Sequence, residues 1–128
     1  MRAAAGVVAG VIAWIVIASV CNFVLRLSWP EYAAVEQAMT FTLGMLVARL
    51  LFGALASMGA GVSVAWVAQR NRIASASLVV LLLAMFIPAH YMLWDKFPAW
   101  YHLVFLVSLV LCPLLGTMLI SRTRWQPA

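Results

Sequence analysis

The chain has 128 residues, 67% of them hydrophobic and 9% charged, with a net charge of +5 and a mean hydropathy of +1.10. Too few polar side chains are present to coat a water-soluble core, so lipid is the predicted solvent and the lipid bilayer the predicted partner. The basic residues punctuate the ends of apolar runs rather than forming one patch, which excludes a nucleic-acid footprint and reads as a topology signal.

One helical crossing takes about 20 apolar residues. The chain has room for four crossings and little else. The predicted fold is all-α: a polytopic four-helix transmembrane bundle with a short outer interfacial helix, formed by residues 1–128 as a single integral membrane domain. The predicted spans are about 3–26, 42–68, 73–93 and 98–120, with the interfacial helix at about 29–39.

The opening run "MRAAAGVVAGVIAWIVIASVCNF" has the basic start and apolar stretch of a signal peptide, and "ASVC" is similar to a lipoprotein cleavage site. Val20 is a poor residue before such a cysteine, and the apolar run continues to about Leu25, so an uncleaved span is predicted. Gly6 and Gly10 form G-x-x-x-G, flanked by Ala3 and Ala13 on the same face. In lipid, such stripes let helix backbones approach closely.

In "LSWPEY", Ser28 and Glu31 have capping-box spacing, Pro30 fits a first helical turn, and Leu27 and Tyr32 are spaced for a hydrophobic staple. A helix running unbroken from there to Ala68 would be about 60 Å long at 1.5 Å per residue, twice the hydrocarbon thickness. A break near residues 40–44 is therefore predicted.

The second span carries Gly53, Ser57 and Gly61 at four-residue spacing, continuing to Ala65. This stripe and the Gly6–Gly10 stripe are predicted to pack together within one chain; the alternative is a homodimer seam. Arg49, in "TLGMLVARLLFGALAS", falls near the outer edge of the hydrocarbon. There it either snorkels as an anchor or forms the buried end of a polar cluster, with Glu36, Asp95 or Asn22 as partners.

The third and fourth spans are joined by "WDKFP". A link so short forces an antiparallel hairpin. His90 and His102 each lie six residues from Lys96, so the hairpin brings them to equal depth. If their rings converge, the pair suits a metal ion, axial ligation of a haem iron, or proton transfer; otherwise each imidazole snorkels to the interface. Asp95, before Pro98, is placed to cap the fourth span. Tyr91, Trp94, Trp100 and Tyr101 have the composition of an aromatic belt. Pro88 and Pro113 free the carbonyls of Ala84 and Leu109. Cys21 and Cys112 fall at different depths, which argues against a disulfide.

Orientation follows from the arginines. Arg2, Arg70, Arg72, Arg122 and Arg124 fall on one side, predicted to be cytoplasmic with both termini, in an inner or plasma membrane. All three acids, Glu31, Glu36 and Asp95, fall on the other. No G-x-S-x-G, H-E-x-x-H or phosphate-binding glycine loop is present, so no catalytic residues are assigned. Nor do the residues match small multidrug exporters, which need an acid in mid-membrane, fluoride channels, with a glycine- and threonine-rich break in the third span, or disulfide-forming oxidases, with paired loop cysteines.

The leading expectation is a non-catalytic membrane protein acting through helix packing, as an accessory or assembly subunit of a membrane-protein partner or as a homo-oligomer. The alternative is a binder or transporter of a small solute, proton, metal or haem. Its candidate residues are His90, His102, Asp95, Arg49, Asn22 and Glu36. No cofactor is favoured.

Overall fold

The computed structural model describes residues 1–69 and 71–123, with side chains through Ile120. Five helices follow one another among the described residues: α1 (Arg2–Ser28), α2 (Pro30–Val35), α3 (Leu43–Val67), α4 (Arg72–Met92) and α5 (Ala99–Thr123). α1, α3, α4 and α5 are each long and apolar enough to cross a membrane, and the chain is a multi-pass, all-α membrane protein. Arg70 and Arg124, and the side chain of Arg122, three of the five arginines behind the predicted orientation, lie outside what is described.

α3 is the central helix, packed chiefly against α1 on one side and α5 on the other. Its neighbours divide its small residues between them. Gly6 of α1 faces Ala68 and Val64, and Gly10 faces Val64, the Ala60 carbonyl and Leu78. Gly53 instead faces the Phe105 ring of α5, and Gly61 lies against the backbone of Pro113. Gly116 of α5 reciprocates against the Met58 carbonyl. The stripe expected to meet α1 thus serves two partners. α1 sits on the Ala60–Val64–Ala68 ridge, and on the neighbouring ridge Gly53 and Gly61 are taken by α5. Ser57 is more than a small spacer: its Oγ accepts from Trp14 Nε1 at 2.9 Å and donates to the Gly53 carbonyl at 2.8 Å.

The segment between α1 and α3 departs from expectation. α1 remains helical through Ser28, and the Trp29 N–H reaches the Leu25 carbonyl at 3.0 Å. Trp29, not Ser28, is therefore the N-cap of α2, and no side chain caps it. Leu27 is turned outward, so the staple does not form; Leu25 packs on Tyr32 and Met45 instead. Pro30 occupies the first turn of α2, as its fixed φ allows. α2 is shorter than the predicted 29–39 because residues 36–39 form a turn, with Met39 in the left-handed region at φ 55°. Thr42 then caps α3 by accepting from Met45 N–H at 3.4 Å.

Asn71 caps α4 by accepting from Ile73 and Ala74 N–H, at 2.9 and 3.3 Å. Asp95 is exposed and makes no side-chain hydrogen bond among the described residues, so the expected cap on α5 is absent. The α4–α5 link is held instead by Phe97, buried against Leu46 and Tyr101. Cys21 and Cys112 are both free thiols.

Replacing Gly61 with alanine should lower thermal stability in detergent by about 1–3 kcal/mol, because its Cβ meets backbone that cannot move aside. Gly44→Ala, whose nearest neighbour would be Trp29 Cη2 at 3.6 Å, should be neutral. Equal melting temperatures for the two variants would contradict the α3–α5 packing.

Candidate functional site

The polar side chains gather at the end of the bundle that carries α2. Arg49 lies six residues into α3, about 9 Å along its axis. Its Nε donates to the Tyr101 hydroxyl at 3.3 Å, and one Nη1 hydrogen goes to the Tyr32 hydroxyl at 2.7 Å. The guanidinium also stands over the Phe41 ring, 4.8 Å from its centroid. Neither tyrosine was a predicted partner. Tyr32 reaches the site because α2 folds back onto α1 and α3, burying its ring completely. Tyr101 is buried too, so it leaves the expected aromatic belt, whereas Tyr91, Trp94 and Trp100 are exposed.

The Tyr32 hydroxyl donates onward to Asn22 Oδ1 at 3.1 Å, and Asn22 Nδ2 donates to Glu36 Oε1 at 3.2 Å. Arg26 grips the same carboxylate with both Nε and Nη2, at 2.5 and 2.6 Å. Donation from Arg26, then from Asn22, holds the Glu36 carboxyl below the usual carboxylate range against the opposing effect of its partial burial. The pair is therefore intact at neutral pH and breaks only as pH falls through that lowered value. The chain Arg49–Tyr32–Asn22–Glu36–Arg26 joins three of the predicted residues through a tyrosine that sequence reasoning missed. Arg49 and Glu36 form no direct ion pair; Arg26–Glu36 is the only ion pair among the described residues.

His90 and His102 form a second unit. Their rings meet edge to face with Nδ1 atoms 2.6 Å apart, and both are buried. His102 Nε2 lies 3.4 Å from the Trp94 carbonyl, and the Trp94 indole stacks on the His102 ring at 4.8 Å. A carbonyl can only accept, so His102 carries its hydrogen on Nε2. Its Nδ1 then presents a lone pair, and His90 Nδ1–H donates to it. This leaves His90 Nε2 without a hydrogen bond among the described residues.

The spacing is that of a hydrogen bond. Two imidazoles on one tetrahedral ion, with metal–nitrogen bonds of about 2.0–2.1 Å, hold their ligand atoms roughly 3.3 Å apart, and axial haem ligands stand wider still. In this arrangement the two Nδ1 atoms bond each other and do not share a metal. Among the described residues no group of three or more His, Cys, Asp or Glu is placed to hold an ion. Asp95 joins neither unit.

A cleft of about 360 Å³ lies between the helices, with Asn22, Glu36 and Arg49 at its polar end. Trp14, Phe86 and Phe105 line its apolar part. Trp14 packs on Phe86 at 4.6 Å and Phe86 on Phe105 at 5.3 Å, while the His90 ring backs Phe105 at 4.6 Å. The histidine pair thus supports the wall that Tyr101 and Phe105 present to the cleft. Comparison with known protein families, curated proteins and solved structures finds no match.

In ¹⁵N-histidine-labelled protein, long-range ¹H–¹⁵N spectra at neutral pH should show one ring protonated at Nε2, His102, and the other at Nδ1, His90. Each assignment follows from the loss of one signal set in His90→Gln or His102→Gln. Two Nε2-protonated rings would contradict the bonded pair.

Proposed function

We propose that this protein binds a small solute within the membrane, in the cleft between α1, α3, α4 and α5. The observation that carries this reading is the cleft itself. Every span contributes to its lining, and it grades from a charged end at Arg49 and Glu36 to an aromatic wall at Trp14 and Phe105. Its size is at the lower end of small-molecule pockets, about 300–1,000 Å³. Intramembrane ionisable groups that face a cavity, and not lipid, mark ligand or ion pathways.

An assembly role is less well supported by the packing. It rests on minimal loops, on missing catalytic groups and on the small-residue stripes, and of these the stripes are filled within the chain by α1, α3 and α5. The protein is placed in an inner or plasma membrane with both termini cytoplasmic, following the arginine distribution. The cleft then opens away from the cytosol.

The test uses a cysteine-free background, Cys21→Ala with Cys112→Ala. Ala18→Cys, on the cleft wall, should react with a membrane-impermeant maleimide applied from the non-cytosolic side. Val16→Cys, exposed on the outside of α1 at 53%, should face lipid and stay unlabelled. Labelling of Ala18→Cys only from the cytosolic side would reverse the orientation, and no labelling from either side would refute a solvent-reached cleft.

A further inference from the structure

Resting on the reading of the cleft as a solute site, we propose that its ligand is an amphipathic anion. A carboxylate or phosphate head would sit on Arg49, and a short aromatic or acyl body would lie along Trp14, Phe86 and Phe105.

The argument starts from the charges. Two cations and one carboxylate meet at this end of the cleft, and the carboxylate is already committed. Arg26 holds Glu36 with two hydrogen bonds, and Asn22 supplies a third. Arg49 receives no such partner. Its two hydrogen-bond acceptors are neutral hydroxyls, and its nearest face contact is a ring. Hydroxyls and rings satisfy part of its donor capacity without cancelling its charge.

A guanidinium has five N–H groups. Arg49 uses one on Nε and one on Nη1, and its Nη2 makes no hydrogen bond to any described residue. No buried side-chain nitrogen lacks a partner among the described residues, so Nη2 is accessible, and Arg49 is a lining residue of the cleft. The free edge of a planar fork in a low-dielectric cleft is suited to an oxyanion, which it binds by paired, charge-assisted hydrogen bonds. Tyr32 and Tyr101 fix the orientation of that edge in advance, which reduces the ordering cost of binding.

The body of the ligand follows from the opposite wall. Ring-to-ring packing from Trp14 through Phe86 to Phe105 makes a continuous apolar surface. The only hydrogen-bonding group of the Trp14 indole is turned away to Ser57. That wall offers area without polar recognition, so it selects an apolar body of modest size. The head could belong to a free organic acid or to an anionic lipid, and the same donors would hold either.

The test measures binding of 4-fluorophenylacetate by ¹⁹F NMR to purified protein in nanodiscs of zwitterionic phosphatidylcholine. The neutral amide and the cationic 4-fluorophenethylamine serve as matched probes. Saturable binding of the carboxylate, about tenfold or more tighter than the amide and the amine, is expected. Arg49→Gln should reduce carboxylate affinity about tenfold or more, and Arg49→Lys should restore part of it. Retained size-exclusion profiles would show that both variants fold. Repeating the titration in nanodiscs containing phosphatidylglycerol separates the sources of the anion. Arg49-dependent displacement of the probe supports a lipid head, and unchanged affinity supports a free acid. Equal binding of all three probes, or equal carboxylate binding by Arg49→Gln, would overturn the anion assignment and leave the solute cleft standing. Binding of none of them would overturn both.

Discussion

The arrangement at the α2 end is organised by one unfavourable requirement: a guanidinium must be kept two helical turns into an apolar bundle. A charge there is costly unless its donors are met. The chain meets the requirement with hydroxyls from two distant segments. Tyr32 arrives on a short helix that folds back over the bundle, and Tyr101 arrives on α5. Each depends on further structure. Tyr32 is held by Asn22 and by the stacked Phe41 ring, and Tyr101 by Phe97 and Phe105.

This requirement links features that look separate in the sequence. α2 is too short to be stable alone, and its persistence is tied to the buried Tyr32 side chain. The turn with the left-handed Met39 brings Phe41 beneath the guanidinium. The Arg26–Glu36 pair, partly exposed at the rim, adds little stability by itself. Its consequence is electrostatic, because Arg26 takes both oxygens of Glu36 and leaves Arg49 only a longer-range attraction to that carboxylate. The histidine pair secures α4 to α5 behind the Phe105 wall, so the aromatic part of the cleft is positioned by polar bonding as well as by packing.

Much of the fold was legible in the sequence, and for a definite reason. Span number and the α4–α5 hairpin follow from apolar run length and link length, which the bilayer constrains tightly. Equal depth for His90 and His102 followed from their symmetric spacing about Lys96. Their direct bond did not, because it depends on helix rotation, which spacing alone leaves free. The same gap explains the division of α3's glycines. Gly53 and Gly61 share a four-residue stripe with Ser57, yet a modest rotation decides whether α1 or α5 meets it. The capping-box pattern at Ser28 misled because α1 had enough apolar residues to continue through it. Asp95 misled because an acid before a proline is only locally suited to a cap, and Phe97 was overlooked as one more apolar residue in a polar link. Tyr32 and Tyr101 were assigned to a staple and a belt, both common uses of aromatic residues near an interface. Only the fold-back of α2 and the rotation of α5 turn their hydroxyls inward.

The central claim is that Arg49 is a half-buried charge held by hydroxyls and left without a direct ion pair. A double-mutant cycle on thermal stability, combining Arg49→Met with Tyr32→Phe, addresses it most directly. The account predicts that Tyr32→Phe is destabilising in the parent protein and close to neutral beside Arg49→Met, a coupling of about 1 kcal/mol or more. Additive effects, agreeing within about 0.5 kcal/mol, would mean that the guanidinium does not depend on that hydroxyl and would contradict the account.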